Sequence, residues 1–89
     1  MKVVIDGKKI TSKQMLHTYF ADEMNFPEWY GKNLDALYDF LTDTNEETEI
    51  ELINRPALHE HLGKYAKAFE KMLREAQEEN ENIKVISAE

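Results

Sequence analysis

The sequence predicts an α/β domain: a three-stranded parallel sheet packed against about four helices. Three observations carry that expectation. Short strand-like segments occur at Val3-Val4-Ile5, from Thr48 to Asn54, and at Ile83, Val85 and Ile86. Stretches with apolar residues at helical spacing separate them. Strands alternating with helices in this way form parallel sheets joined by right-handed crossovers. The third observation is length: 89 residues suit a single domain over residues 1–89, with one core and no deep multi-domain cleft.

Each element has its own signal. Val3, Val4 and Ile5 end at Asp6-Gly7, which reads as a buried strand closed by a turn. Thr11 or Ser12 can cap the next helix, and Thr11 with Gln14 fits the capping-box pattern. Met15, Leu16, Tyr19, Phe20 and Met24 then follow helical spacing. That helix stops before Pro27, because the residue preceding a proline is pushed out of the helical region. Trp29, Tyr30 and Gly31 form a short aromatic loop. Asn33 is a good N-cap for a second helix, on which Leu34, Leu37 and Leu41 share one face at about 100° per residue. Asp43 to Glu47 is a polar connection.

From Thr48 onward the pattern alternates, with Ile50 and Leu52 on one side and Glu49 and Glu51 on the other. Glutamates block unwanted pairing, so this strand is expected at a sheet edge. Pro56 suits the start of a short helix that carries Leu58 and Leu62 and ends near Gly63. Tyr65, Phe69, Met72, Leu73 and Ala76 mark the apolar stripe of a longer helix, with Glu75 on its flank. Glu78 to Asn82 leads out to the closing strand. No internal repeat or low-complexity segment interrupts this order.

Composition narrows the function. The formal charge is -7, from 18 acidic and 11 basic residues. That opposes binding to nucleic acid or anionic membrane, where basic patches supply the attraction, and favours a basic partner. The hydrophobic content of 42% suits a folded chain rather than a disordered one. Without cysteine, disulfides and thiolate zinc sites are excluded. The amino terminus lacks the long apolar region of a signal peptide, and no apolar run approaches membrane-spanning length. A soluble cytoplasmic protein, monomeric when free, is the expectation.

The second helix carries the unusual feature. Opposite its leucine face lie Asp35, Tyr38, Asp39 and Thr42. Asp35 and Asp39 stand one turn apart and repel each other, at a cost of a few tenths of a kcal/mol. Asp35 gains from the helix dipole in the first turn, but Asp39 lies too far along to do so. Tyr38 sits between them, with Trp29 and Tyr30 just upstream. Aromatics beside unpaired carboxylates suit a cationic contact, although an ordinary solvated face would look similar. One of Trp29 and Tyr30 can serve as a core plug and an exposed one as a contact anchor. Gly31 can hold a backbone conformation other residues resist, or let a partner approach closely.

Catalytic readings are weaker. Paired aspartates for hydrolysis need a cleft and a proton donor of raised pKa, whereas Asp35 and Asp39 look exposed on a convex helix. Ser12 and Ser87 lack a nucleophile context. His59-Glu60-His61 invites a metal reading, but residues two apart on a helix face different ways, so surface histidines are expected. His17, one position past Leu16 on the first helix, is expected to be partly exposed. No metal and no cofactor is implied.

The stretch Pro27-Glu28-Trp29-Tyr30-Gly31-Lys32-Asn33-Leu34-Asp35-Ala36-Leu37-Tyr38-Asp39 resembles the signature of the barstar family, the intracellular inhibitors of barnase-type ribonucleases. The resemblance covers essentially the whole chain, including the Arg74-Glu75-Ala76 triplet and both terminal strands. It implies the same three-stranded parallel fold and a protein inhibitor rather than an enzyme. Its partner would be a basic, secreted, barnase-like ribonuclease. By the same resemblance Asp39 occupies the phosphate position of the target site, while Asp35 and Glu75 meet flanking cations. Trp29, Tyr30, Gly31, Asn33, Tyr38 and Thr42 shape the surrounding contact. The chain departs from the family pattern at Trp29, where tyrosine is usual, at Tyr38, where tryptophan is usual, and at Thr44, where an aromatic can stand. Those departures alter the rim and leave the acidic core. The alternatives are a barstar-fold interaction module with a non-ribonuclease partner and a small Asp-dependent hydrolase.

Overall fold

In the computed structural model, residues 1–87 are described; the last two positions of the expected domain, Ala88 and Glu89, lie outside the described residues. The element order is β1 (Lys2–Asp6), α1 (Lys13–Met24), α2 (Leu34–Asp43), β2 (Thr48–Ile53), α3 (Arg55–Leu62), α4 (Lys64–Glu79) and β3 (Ile83–Ser87). The strands form one sheet in the order β1-β2-β3, parallel throughout. The predicted α/β class and its three-strand, four-helix composition are therefore observed.

The strand from Thr48 is central rather than at an edge, contrary to the expectation drawn from its glutamates. In register, Val3 lies beside Ile50 and Ile50 beside Val85, while Ile5 lies beside Leu52. Register partners and residues two apart share a face, so Val3, Ile5, Ile50 and Leu52 lie on one side of the sheet, and all four are buried. The face carrying Val4, Glu49 and Glu51 is only half-buried, so Val4 is not part of a fully enclosed strand. On that face the Lys2 ammonium sits 3.3 Å from Glu51 and 3.8 Å from Glu49. The glutamates mark a wet face of the sheet, and they pair across strands instead of guarding an edge.

The dry face meets the helices. Phe20 of α1 packs edge-on against Phe69 of α4, with centroids 5.9 Å apart. Leu16, Leu37, Leu41, Leu58, Ala66, Leu73 and Ala76 complete the same cluster. Several residues of the expected apolar stripes sit further out: Tyr19, Met24, Leu34, Leu62 and Tyr65 are half-buried at the margin of the cluster, and Met15 is exposed. Gly7 closes β1 where α3 begins. A Cβ there would collide with the Asn54 carbonyl and lie 2.6 Å from the Leu58 nitrogen, so only glycine lets the two elements meet.

Helix ends follow local chemistry. Ser12 caps α1 by accepting from the Met15 N–H at 3.1 Å; the Thr11–Gln14 box is not used, and the Thr11 hydroxyl turns to the Met15 sulfur instead. Asn25 ends α1 in the left-handed region, φ 57°, two residues before Pro27. The α2 carboxyl end is capped from a distance: Asn80 Nδ2 donates to the carbonyls of Leu41 and Thr44, each at 2.9 Å.

Of the three buried polar residues, His17 and Glu70 can titrate. His17 is 1% exposed, not partly exposed as its position beside Leu16 suggested. It faces inward with Leu16 and Phe20, and burial is tolerable because both ring nitrogens have partners. Its Nδ1 lies 2.7 Å from the Tyr30 hydroxyl and its Nε2 2.6 Å from the Tyr65 hydroxyl. A neutral imidazole donates through one nitrogen and accepts through the other, which fits two tyrosine hydroxyls. Burial, and secondarily the Lys32 charge, lower the His17 pKa. Glu70 is the other group. Burial alone would raise its pKa, but hydrogen bonds from Arg55 (2.8 and 3.0 Å) and His59 (3.0 Å), with their charges, hold it below the usual value.

Both shifts make acid destabilising, in different windows. The unfolded imidazole takes up a proton near the ordinary value of 6.5 while the folded one resists it. The stability this gives is full above that pH and falls below it, by up to about 1.4 kcal/mol per pH unit. The Glu70 contribution is lost only lower, as pH falls below the ordinary carboxylate value of 4.5. Urea midpoints should therefore drop between about pH 7.5 and 5.5, and His17→Gln should remove most of that slope. An equally steep profile in the variant would place the titration elsewhere.

Candidate functional site

The site is assembled from the loop between α1 and α2, the outer face of α2 and the flank of α4. A turn at the loop's start has the Tyr30 N–H donating to the Pro27 carbonyl at 3.0 Å. Lys32, φ 52°, makes the left-handed step before α2. Gly31 is not in that region, so its value is spatial: a Cβ there would lie 3.3 Å from Asn33 Nδ2 and 3.4 Å from Ala36 Cβ. That is tight packing against the very side chain that caps the helix. Asn33 Oδ1 accepts from the Ala36 N–H at 2.8 Å, and its Nδ2 donates to the Gly31 carbonyl at 3.3 Å. Asn33 thus locks loop to helix.

Consecutive aromatics part company here. Tyr30 turns inward, 5% exposed, with its hydroxyl on His17 and burial pushing its pKa far above the ordinary value of 10. Its ring is a core plug and presents no contact surface, so of the two loop aromatics only Trp29 can be an anchor. The Trp29 indole is 77% exposed.

On α2 the separation of faces is clean. Leu37 and Leu41 are buried, Asp35 and Asp39 are exposed, and Tyr38 and Thr42 are half-buried at the margin. Neither aspartate has an ion-pair partner among the described residues. The Thr42 hydroxyl donates to the carbonyls of Tyr38 (2.8 Å) and Asp39 (3.3 Å), so its proton is committed to the helix while its oxygen can still accept. Glu75 is exposed on α4, the helix against which α2 packs.

A cleft of about 480 Å³ opens between Trp29 and α2, lined also by Gly31, Ala36, Asp39, Phe40 and Asp43. Sequence reading passed over Phe40 and Asp43. The signal was present in spacing: Asp43 is one turn beyond Asp39, and Phe40 is one turn beyond Ala36. Asp43 also stands in the last turn of α2, which carries no basic residue, where the helix dipole disfavours a carboxylate.

The remaining polar side chains do other work. His59 bonds Glu70, and His61 Nδ1 lies 3.0 and 3.1 Å from the carbonyls of Gly7 and Ile10. His61 is exposed and His59 half-buried, as surface histidines were expected to be, and each also makes a hydrogen bond within the fold. Among the described residues no group of three His, Cys, Asp or Glu could hold a metal ion, and no helix is long and apolar enough to cross a membrane.

A loop-capped helix with an acidic outer face, on a three-stranded parallel sheet, defines an α/β protein that holds unpaired carboxylates at its surface. Comparison with known proteins identifies the class: the family model described as "Barstar (barnase inhibitor)" matches residues 1–87. The chain is also 37% identical over 87 residues to the "Putative ribonuclease inhibitor YrdF" of Bacillus subtilis (strain 168), covering 96% of each chain. The chain belongs to the barstar family.

Among the described residues the Asp39 carboxylate makes no hydrogen bond or ion pair visible in the fold, whereas the leucines of α2 pack its core. Asp39→Ala should leave urea stability unchanged or raise it by about 0.2–0.5 kcal/mol through loss of the like-charge pair. Leu37→Ala should cost about 2–5 kcal/mol through the cavity it leaves. A clear loss of stability in Asp39→Ala would make that aspartate structural.

Proposed function

We propose that this protein inhibits a basic, secreted, barnase-type ribonuclease while the enzyme is still in the cytoplasm of the producing cell. The observation that carries the reading is the pair Asp35 and Asp39: exposed, one turn apart, without cations of their own and beside an open indole. Family membership and the name of the Bacillus relative support it.

A ribonuclease active site gathers cations and imidazoles to bind phosphates. Asp39 mimics the phosphate and accepts charge-assisted hydrogen bonds. Asp35 and Glu75 meet cations on either side of it. Trp29, Gly31 and Tyr38 shape the contact, while Asn33 and Tyr30 act beneath it by fixing the loop. Blocking the site needs no chemistry from the inhibitor, only a rigid acidic surface that excludes RNA. The overall charge of -7 draws the partner in before contact and speeds encounter.

The test is titration of the protein into barnase with an RNA substrate. Activity should fall to zero at one equivalent, while the protein alone leaves RNA intact. Asp39→Ala should weaken binding by about 2–5 kcal/mol, since it leaves buried cations unpaired. Association should slow steeply with salt, because exposed charges are screened beyond about 8 Å at physiological ionic strength. Undiminished ribonuclease activity at excess inhibitor, across barnase and other basic ribonucleases, would overturn the reading.

A further inference from the structure

Trp29 is the single tryptophan of the chain. A side chain this exposed ordinarily samples several rotamers, and ordering it on binding has an entropic cost. Here the indole is backed by a stack of rings. Its centroid lies 5.6 Å from that of Phe40, at 37° between planes. Phe40 stacks on Phe26 at 4.5 Å and 26° and meets Tyr30 edge-on at 5.7 Å. Phe26 and Tyr30 are themselves 4.8 Å apart, and the Tyr30 hydroxyl is held by buried His17. The contacts run without a break from the interior to the open indole.

Phe40 is the link between them. It is only half-buried, on the margin of α2, and it also lines the cleft that Trp29 overhangs. A plain space-filler would gain by covering the neighbouring ring, yet the contact leaves Trp29 largely in solvent. What the stack fixes is the direction of the indole rather than its burial. One side of the cleft is then an aromatic surface, and Asp39 and Asp43 supply carboxylates. An indole face attracts a cation within about 6 Å of its centre, and a carboxylate beside it adds charge-assisted hydrogen bonds.

We propose that Phe40 is a positioning residue for partner recognition: it holds the Trp29 indole as one wall of the cleft, ready to receive a cationic side chain of the ribonuclease between indole and carboxylates. The inference rests on the inhibitor reading above and deepens it, by naming the kind of group this cleft takes and the residue that keeps it in shape.

Because Trp29 is the sole tryptophan, its fluorescence reports on this wall alone. Time-resolved anisotropy of the free protein should show a subnanosecond component about twofold larger in Phe40→Leu than in the parent, and Phe40→Tyr should restore the parent value. Barnase affinity should fall roughly three- to tenfold in Phe40→Leu, the cost of ordering one side chain on binding. In a Trp29→Ala background the same change should cost less than about twofold, since the wall it supports is gone. Equal losses in both backgrounds, or an unchanged anisotropy, would overturn the proposal. If Phe40→Leu unfolds the protein, Phe40→Tyr and Phe40→Met read by the same anisotropy and cycle decide it. If the parent protein does not bind barnase, the inhibitor reading fails for that enzyme and the receptive cleft falls with it. The anisotropy then still decides whether Phe40 orders the indole.

Discussion

Both nitrogens of the buried His17 ring are committed, one to Tyr30 and one to Tyr65, and the shape of the surface formed by the α1–α2 loop follows from that commitment. The three residues lie on α1, on the loop before α2 and on α4. One imidazole therefore ties the loop to two helices that are distant in sequence. Tyr30 is drawn inward, while its neighbour Trp29 stays largely exposed. The polar cost of burying three hydrogen-bonding groups is met internally: no buried side-chain nitrogen or oxygen among the described residues lacks a partner. A hydrophobic residue at position 17 could fill the space but could not anchor the hydroxyls, and Tyr30 would then carry an unsatisfied group into the core.

The same economy explains how α2 can be acidic on one side without destabilising the domain. Its amino end is closed by Asn33 and its carboxyl end by Asn80, so its orphan backbone groups do not rely on Asp35, Asp39 or Asp43. Its leucine face supplies the packing energy. The carboxylates are thus placed on a helix that would stand without them, and under the proposed function their mutual repulsion would be relieved by a partner's cations. This division separates the packed positions of a single helix from its exposed acidic ones, position by position.

Much of this was legible in the sequence. Alternation of strand and helix signals, the Asn33 cap, the stop before Pro27 and the leucine face of α2 are local properties that residue spacing reports directly. What escaped depended on tertiary placement. The glutamates of β2 read as edge guards because alternation reveals a wet face but not which strand lies in the middle. His17 looked peripheral because its two partners are 13 and 48 residues away, and no short window contains them. Tyr30 and Trp29 carry equal aromatic signals, and only the position of His17 decides which turns inward. Phe40 lay between the two faces of the helical wheel, where spacing alone assigns it to neither.

The departures from the family pattern acquire meaning from this arrangement. Asp35 and Asp39 sit on a capped, packed helix, where geometry tolerates little variation. Trp29 and Tyr38 lie at its margin and Thr44 just beyond it, where side chains can change size without disturbing the caps or the leucines. An indole at position 29 is larger than a phenol and needs backing to be useful as a wall, and this chain provides it through Phe26 and Phe40. In the proposed inhibitor role the acidic centre supplies attraction that any cation-rich site would answer, so it would not by itself distinguish one ribonuclease from another. Discrimination would then rest on the aromatic margin, whose fit depends on where a partner's side chains stand. On that proposal the ring stack, rather than the carboxylates, would set the choice of target.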